Sequence, residues 1–186
     1  MTLNLTKLGL KQVINASGKM TILGVSKVSE GVLTAQRFGG EHFFEMSELA
    51  VKTGAYLAKL LQVEDAQIVS SASAGIAQSV AAVIGQGSSF HLYHPYSEKI
   101  QRREIILPKG HNVDYGTPVE VMVQQGGGQV VEAGYANMCS VDHIAQMISP
   151  QTAAILYIKS HHTVQKSMLS VKETAQVAKQ SGIPLI

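Results

Sequence analysis

The sequence predicts an α/β domain with a mostly parallel sheet and flanking helices, and three observations carry that expectation. Short aliphatic runs alternate along the chain with longer segments of helical period. With 45% hydrophobic and 15% charged residues over 186 positions, there is enough apolar material for a core of ordinary single-domain size. The clearest of the short runs, residues 153–158, is continuously apolar, as a strand covered on both faces must be.

The elements follow in order. Residues 1–26 hold a Gly-punctuated apolar stretch with little helical period, which reads as an arm; the division expected is an N-terminal arm over 1–40 and the larger domain over 41–186. Over 45–61 the apolar or small residues Met46, Leu49, Ala50, Leu57, Leu60 and Leu61 fit an amphipathic helix, within which Gly54 costs about 1 kcal/mol relative to Ala. A short strand is expected at 67–70, then a buried helix rich in Ala, Val and Ile over 74–84 and a loop over 85–101. A strand at 104–107, a helix near 117–125, a strand at 129–132 and a helix at 141–148 come next, with Gly126, Gly127 and Gly128 forming the turn before the second of these strands. After the strand at 153–158 comes an amphipathic helix at 171–180, stopped by Ser181 and Gly182. Residues 183–186 begin a buried strand; a helix followed by so short a strand reads as an unfinished βαβ unit, so the sequence is expected to be a truncated part of a longer enzyme.

Composition removes several classes of function. The net charge of +2 comes from scattered Lys and Arg, with Arg102 and Arg103 the only adjacent pair, whereas a nucleic-acid footprint needs a clustered basic face. Nucleic acid and membrane are therefore not expected as partners. The single Cys139 excludes an internal disulfide, and with neither a secretory signal nor a membrane-spanning apolar run the expected setting is cytoplasmic. Cys139 has no basic neighbour to lower its pKa and reads as structural. The fingerprints of dinucleotide-binding, phosphate-loop and nucleophile-elbow sites are all missing.

In an open parallel sheet ligands bind beyond the carboxyl ends of the strands, and three such places carry polar residues. In the first, Ser71, Ala72 and Ser73 lead into a helix; free N–H groups at a helix start, two hydroxyls and small side chains make an anion cradle, and equally make an ordinary Ser N-cap. The second places His111 after Gly110, where an imidazole can lie on a planar heteroaromatic ligand, act as an acid or base, or simply sit on a surface loop. The third is Lys159, Ser160, His161 and His162. Adjacent histidines on an extended chain point to opposite sides, and Cys139 with His143 stands on another segment, so no metal is expected.

Six stretches carry a resemblance: Val13-Ile-Asn-Ala-Ser-Gly-Lys-Met-Thr-Ile-Leu-Gly24, Lys52-Thr-Gly-Ala-Tyr56, Ser71-Ala-Ser-Ala-Gly-Ile-Ala-Gln-Ser-Val-Ala-Ala-Val83, Leu107-Pro-Lys-Gly-His-Asn-Val113, Val131-Glu-Ala-Gly-Tyr-Ala-Asn137 and Ala153-Ala-Ile-Leu-Tyr-Ile-Lys-Ser-His-His162. In this order they resemble the ammonia-lyases grouped with the selenocysteine-synthase-like (seryl-tRNA selenium transferase) enzymes, which are pyridoxal phosphate enzymes of fold type I, the aminotransferase-like fold. The resemblance spans essentially the whole chain. It implies the N-terminal part of a fold type I large domain, a homo-oligomer, pyridoxal phosphate as cofactor, and elimination of water and ammonia from a phosphorylated 2-amino sugar acid to give a 2-keto-3-deoxy acid phosphate. By the same resemblance Ser71, Ala72 and Ser73 bind the cofactor phosphate and His111 stacks on the pyridine ring. Ser160 and His161 lie where one residue approaches the ring hydroxyl. The Asp that pairs with the pyridine nitrogen and the Schiff-base lysine are expected beyond Ile186, so this chain alone is expected to be inactive. Lys109 and Lys159 are not expected to replace that lysine. Two rival readings remain: selenium transfer to seryl-tRNA, which lacks its basic extension here, and a non-catalytic association module.

Overall fold

A computed structural model describes residues 4–186. Met1 to Leu3 of the expected arm lie outside the described residues. The chain divides into two units, the first reaching to Gln67 and the second running from Ile68 to Ile186.

In the first unit a turn at residues 5–9 and a 3-10 turn at Thr21–Leu23 precede helices α1 (Glu30–Gly40) and α2 (Met46–Leu61). Ser29 caps α1 by accepting from the Val32 N–H, and the Glu45 side chain caps α2. Helix α2 lies where the amphipathic period predicts it, whereas α1 falls in the stretch expected as an arm, because Gly31, Gly39 and Gly40 obscure its period. Gly54 has a packing reason: a Cβ there would lie 2.5 Å from the carbonyl oxygen of Ala66.

The second unit holds helices α3 (Ala72–Gly85) and α4 (Ser89–Tyr93), strand β1 (Glu104–Pro108), helix α5 (Val119–Gln125), strand β2 (Gln129–Ala133), helix α6 (Val141–Gln146), strand β3 (Thr152–Ile155) and helix α7 (Val171–Gln180). The three strands form a parallel sheet in the order β2-β1-β3, as the alternation of strand and helix predicts. Beyond Ile155 the chain stays extended, with Leu156 donating to Ile106 O, so the apolar run 153–158 is used as expected. Residues 184–186 lie parallel to β3, where Ile155 donates to Pro184 O and Ile186 to Ile155 O.

Side-chain period decides the layers. Ile105, Leu107, Ala154 and Leu156 face one side of the sheet, with Val80 of α3 and Val119 and Val123 of α5. Ile106, Ile155 and Ala133 face the other, with Ile144 of α6 and Val177 and Ala178 of α7. One expected element is absent: residues 67–70 form no strand. The residues there have strand-forming side chains, but Ile68 is exposed and no neighbouring strand supplies a hydrogen-bonding ladder. The loop expected over 85–101 contains α4, whose His91 is buried against Gly85 and Gly127.

Candidate functional site at the carboxyl end of the sheet

The direction of α3 determines which end of the sheet its first turn serves. Its later residues Ala77 and Val80 pack on Gly126, and Val80 also on Gly128, just before β2 begins. The helix therefore runs antiparallel to the strands, with Ser71 toward their carboxyl ends. The turn after β1 and the chain leaving β3, the two other places where ligand chemistry was expected, lie at the same end of the sheet.

At the start of α3 the serine N-cap is formed and leaves part of the first turn open. The Ser71 hydroxyl caps the helix by accepting from Ala74 N–H at 3.1 Å, and Gly75 N–H goes to Ser71 O. Ala72 and Ser73 are exposed, and no bond from their amides to a protein acceptor occurs among the described residues. Two N–H groups and the Ser73 hydroxyl are thus open to an anion, with the positive end of a helix of 14 residues behind them.

After β1 the chain makes a tight 3-10 turn, Lys109–His111. His111 is fully buried, not on a loop surface, and neither ring nitrogen makes a hydrogen bond of good geometry, the Val164 backbone being the acceptor that approaches the ring. Its ring meets Tyr157 edge-on, with centroids 4.6 Å apart and planes at 85°. Burial pushes the imidazole pKa below its ordinary value, and the nearby backbone of Val164 offsets this only in part. The Tyr157 hydroxyl donates to Leu169 O at 3.3 Å, and burial raises its pKa.

A polar group lies beside the turn. Lys109 Nζ pairs with Glu132 Oε2 at 2.9 Å, and Asn112 Nδ2 donates to Glu120 Oε2 at 3.2 Å and to Glu132 Oε1 at 3.4 Å. Asn112 Oδ1 also accepts from Glu120 N–H in the first turn of α5, taking the place of a cap that Pro118 does not provide. The bond and charge of Lys109 hold the Glu132 carboxyl below its ordinary pKa. Lys109 is thereby tied to a carboxylate. The group is not visible in the sequence because Glu132 stands 20 residues from Asn112 and meets it only when β1 and β2 pair.

Past β3, Ser160 closes a turn: its carbonyl accepts from the Thr163 hydroxyl at 2.7 Å and its own hydroxyl from His162 N–H at 3.2 Å. His161 is exposed and its ring lies 3.9 Å from that of His162. Cys139 is buried and its thiol pKa is raised, which suits a packing role. Among the described residues no cluster of three or more His, Cys, Asp or Glu side chains could hold a metal ion, and no helix is long and apolar enough to cross a membrane.

No protein-family model matches the chain. A curated relative, D-glucosaminate-6-phosphate ammonia lyase of Salmonella typhimurium (strain 14028s / SGSC 2262), is 44% identical over 180 residues, which are 97% of this chain and 49% of that protein. A solved structure of D-glucosaminate-6-phosphate ammonia-lyase superposes on 100% of the chain and 50% of its own with a TM-score of 0.94 at 45% identity. In sequence and in fold, the chain is similar to this ammonia lyase. The resemblance drawn from the six motif stretches therefore stands. A 5'-C-glycyluridine monooxygenase-decarboxylase of Streptomyces sp is 32% identical over 100% of the chain and 47% of its own length. The chain spans about half the length of the curated relatives it matches.

Proposed function

We propose that this chain forms the phosphate- and ring-binding part of a pyridoxal-phosphate-dependent ammonia-lyase acting on a phosphorylated 2-amino sugar acid such as D-glucosaminate 6-phosphate. The observation that carries the reading is the open pair of amides at Ala72 and Ser73, at the carboxyl end of the sheet, in a chain so similar to an enzyme named for that reaction. These amides and the Ser73 hydroxyl fit the phosphate end of the cofactor, and His111 supplies an imidazole with no protein partner at the end of β1. Ser160 or His161 reaches the ring hydroxyl. Bound there, pyridoxal phosphate would supply the electron sink for removal of the α-proton. The β-hydroxyl then leaves as water, and hydrolysis of the remaining enamine takes up a water and frees ammonia. The lysine and acidic partner that such a cofactor needs are assigned to no residue of this chain, which spans about half the length of its relatives, and the working form is a homo-oligomer.

A second reading has one specific support, the monooxygenase-decarboxylase named for a glycyl substrate: the same scaffold serving a different α-amino acid. The experiment separates cofactor binding from substrate choice. Titrating the chain with pyridoxal phosphate while following the phosphate by phosphorus NMR should give weak, saturable binding. Ser71→Asp should keep the helix cap and the unfolding midpoint while abolishing that binding, because its carboxylate competes for the open amides. No shift in the parent chain would reject the cradle. A polypeptide extended to the length of the relatives should release ammonia from D-glucosaminate 6-phosphate, whereas oxygen uptake with release of carbon dioxide from 5'-C-glycyluridine, and no ammonia from the sugar acid, would favour the second reading.

A further inference from the structure

A buried imidazole with two unbonded nitrogens is an unfavourable arrangement; the Tyr157 ring meets it from one side, and a stretch of chain lies over the turn that carries it. Residues 160–169 pass over the Lys109–His111 turn. Val164 N–H donates to Gly110 O at 3.2 Å, and Val164 Cβ, Met168 Cε and Ala136 O occupy the space that a Cβ on Gly110 would need. The far end of the stretch is fastened to Cys139, which donates to Ser167 O at 3.1 Å and accepts from Leu169 N–H at 2.8 Å. Between Ser160 and that anchor, His161, His162 and residues 164–167 are exposed, and only Thr163 is buried.

We propose that residues 160–168 are a strap that gates His111: the arrangement seen is closed, and breaking the Val164–Gly110 bond exposes the imidazole to a planar aromatic ligand. The strap is built for this. Among the described residues the one backbone-to-backbone bond between its middle and the turn beneath is that of Val164 to Gly110, while the covered group gains well-formed hydrogen bonds when water or ligand reaches it. This inference rests on the proposed binding site in its choice of ligand, and on the geometry of the chain alone in its claim of gating.

The test is the rate at which diethyl pyrocarbonate acylates each histidine of the ligand-free chain near neutral pH, resolved by peptide mapping. Val164→Pro removes the N–H that holds the strap, and Met168→Ala removes its packing on Gly110. His91, buried at the other end of the sheet, reports whether either variant has loosened the whole unit. Acylation of His111 should rise about fivefold in Val164→Pro, the change in open population expected from losing one hydrogen bond, and should rise in Met168→Ala, with His91 unchanged in both. Equal His111 rates in parent and variants would overturn the strap, as would a parallel rise at His91. Pyridoxal phosphate added to Val164→Pro tests the binding reading by itself: protection of His111 supports it, and raised reactivity without protection leaves the strap standing while counting against the ligand.

Discussion

A buried imidazole whose nitrogens find no partner is held neutral, and this links His111 to pH. Its folded-state pKa lies below the ordinary 6.5. The unfolded chain therefore takes up a proton first, and stability that is present above 6.5 is lost as the pH falls toward the lowered folded value. His111→Phe keeps a ring against Tyr157 and removes both unpaired nitrogens. Its denaturant midpoint is expected to fall less than that of the parent between about pH 7.5 and about pH 5.5, and equal slopes would show that His111 is not the group responsible. Glu132, whose pKa is also lowered, acts in a separate window below 4.5. At Gly54 two effects compete. Ala gains about 1 kcal/mol of helix propensity, whereas a Cβ 2.5 Å from Ala66 O forces strain of about 1–3 kcal/mol. Gly54→Ala is expected to lower stability, and a raised melting temperature would mean that residues 62–67 can retreat.

Among the elements, α7 has the most complete local code. Ser170 accepts from Glu173 N–H, and the Glu173 carboxylate accepts in turn from the Ser170 amide at 2.7 Å, while Thr174, Val177 and Ala178 turn inward. Ser170→Ala is expected to cost about 1 kcal/mol, read from chemical denaturation; an unchanged midpoint would show that packing alone holds the helix. Residues 171–180 could be placed from sequence by their amphipathic period and the stop at Ser181 and Gly182, and the capping box adds a start signal of the same local kind. The parallel sheet was legible for a similar reason, since continuously apolar runs such as 153–158 have few other places to go. Residues 67–70 failed because strand formation is a pairing event, and no pairing partner is written into four residues. The site was legible in part. Ser71, Ala72 and Ser73 could be found because a helix start is a local feature. The burial of His111 could not, because it depends on Tyr157, Val164 and Met168, which are 46 to 57 residues away in sequence and meet it only through the order β2-β1-β3. The group formed by Lys109, Asn112, Glu120 and Glu132 escaped notice on the same grounds.

At the scale of the whole molecule, apolar residues are divided unequally between the two units. Every residue of both hydrophobic clusters lies beyond Gln67. Among the described residues up to Gln67 only Gly54 and Ala58 are buried, while Ile14, Ile22, Phe43, Val51, Tyr56, Leu60 and Leu61 stand exposed. Soluble monomers rarely present so many large apolar side chains, because each covered contact removes surface worth about 25 cal/mol per Å² from water. Electrostatics offers little opposition, since a net charge of +2 is too small to keep copies apart. The chain is therefore expected to self-associate through its first unit. Sedimentation velocity should record a species heavier than one chain whose share grows with concentration. Val51→Glu combined with Leu60→Glu places two charges on exposed faces of α2, where they disturb no buried contact, and should return the protein to a monomer with the same helical circular dichroism. A parent chain that sediments as a compact monomer across a wide concentration range would reject the prediction, and with it the homo-oligomer proposed above.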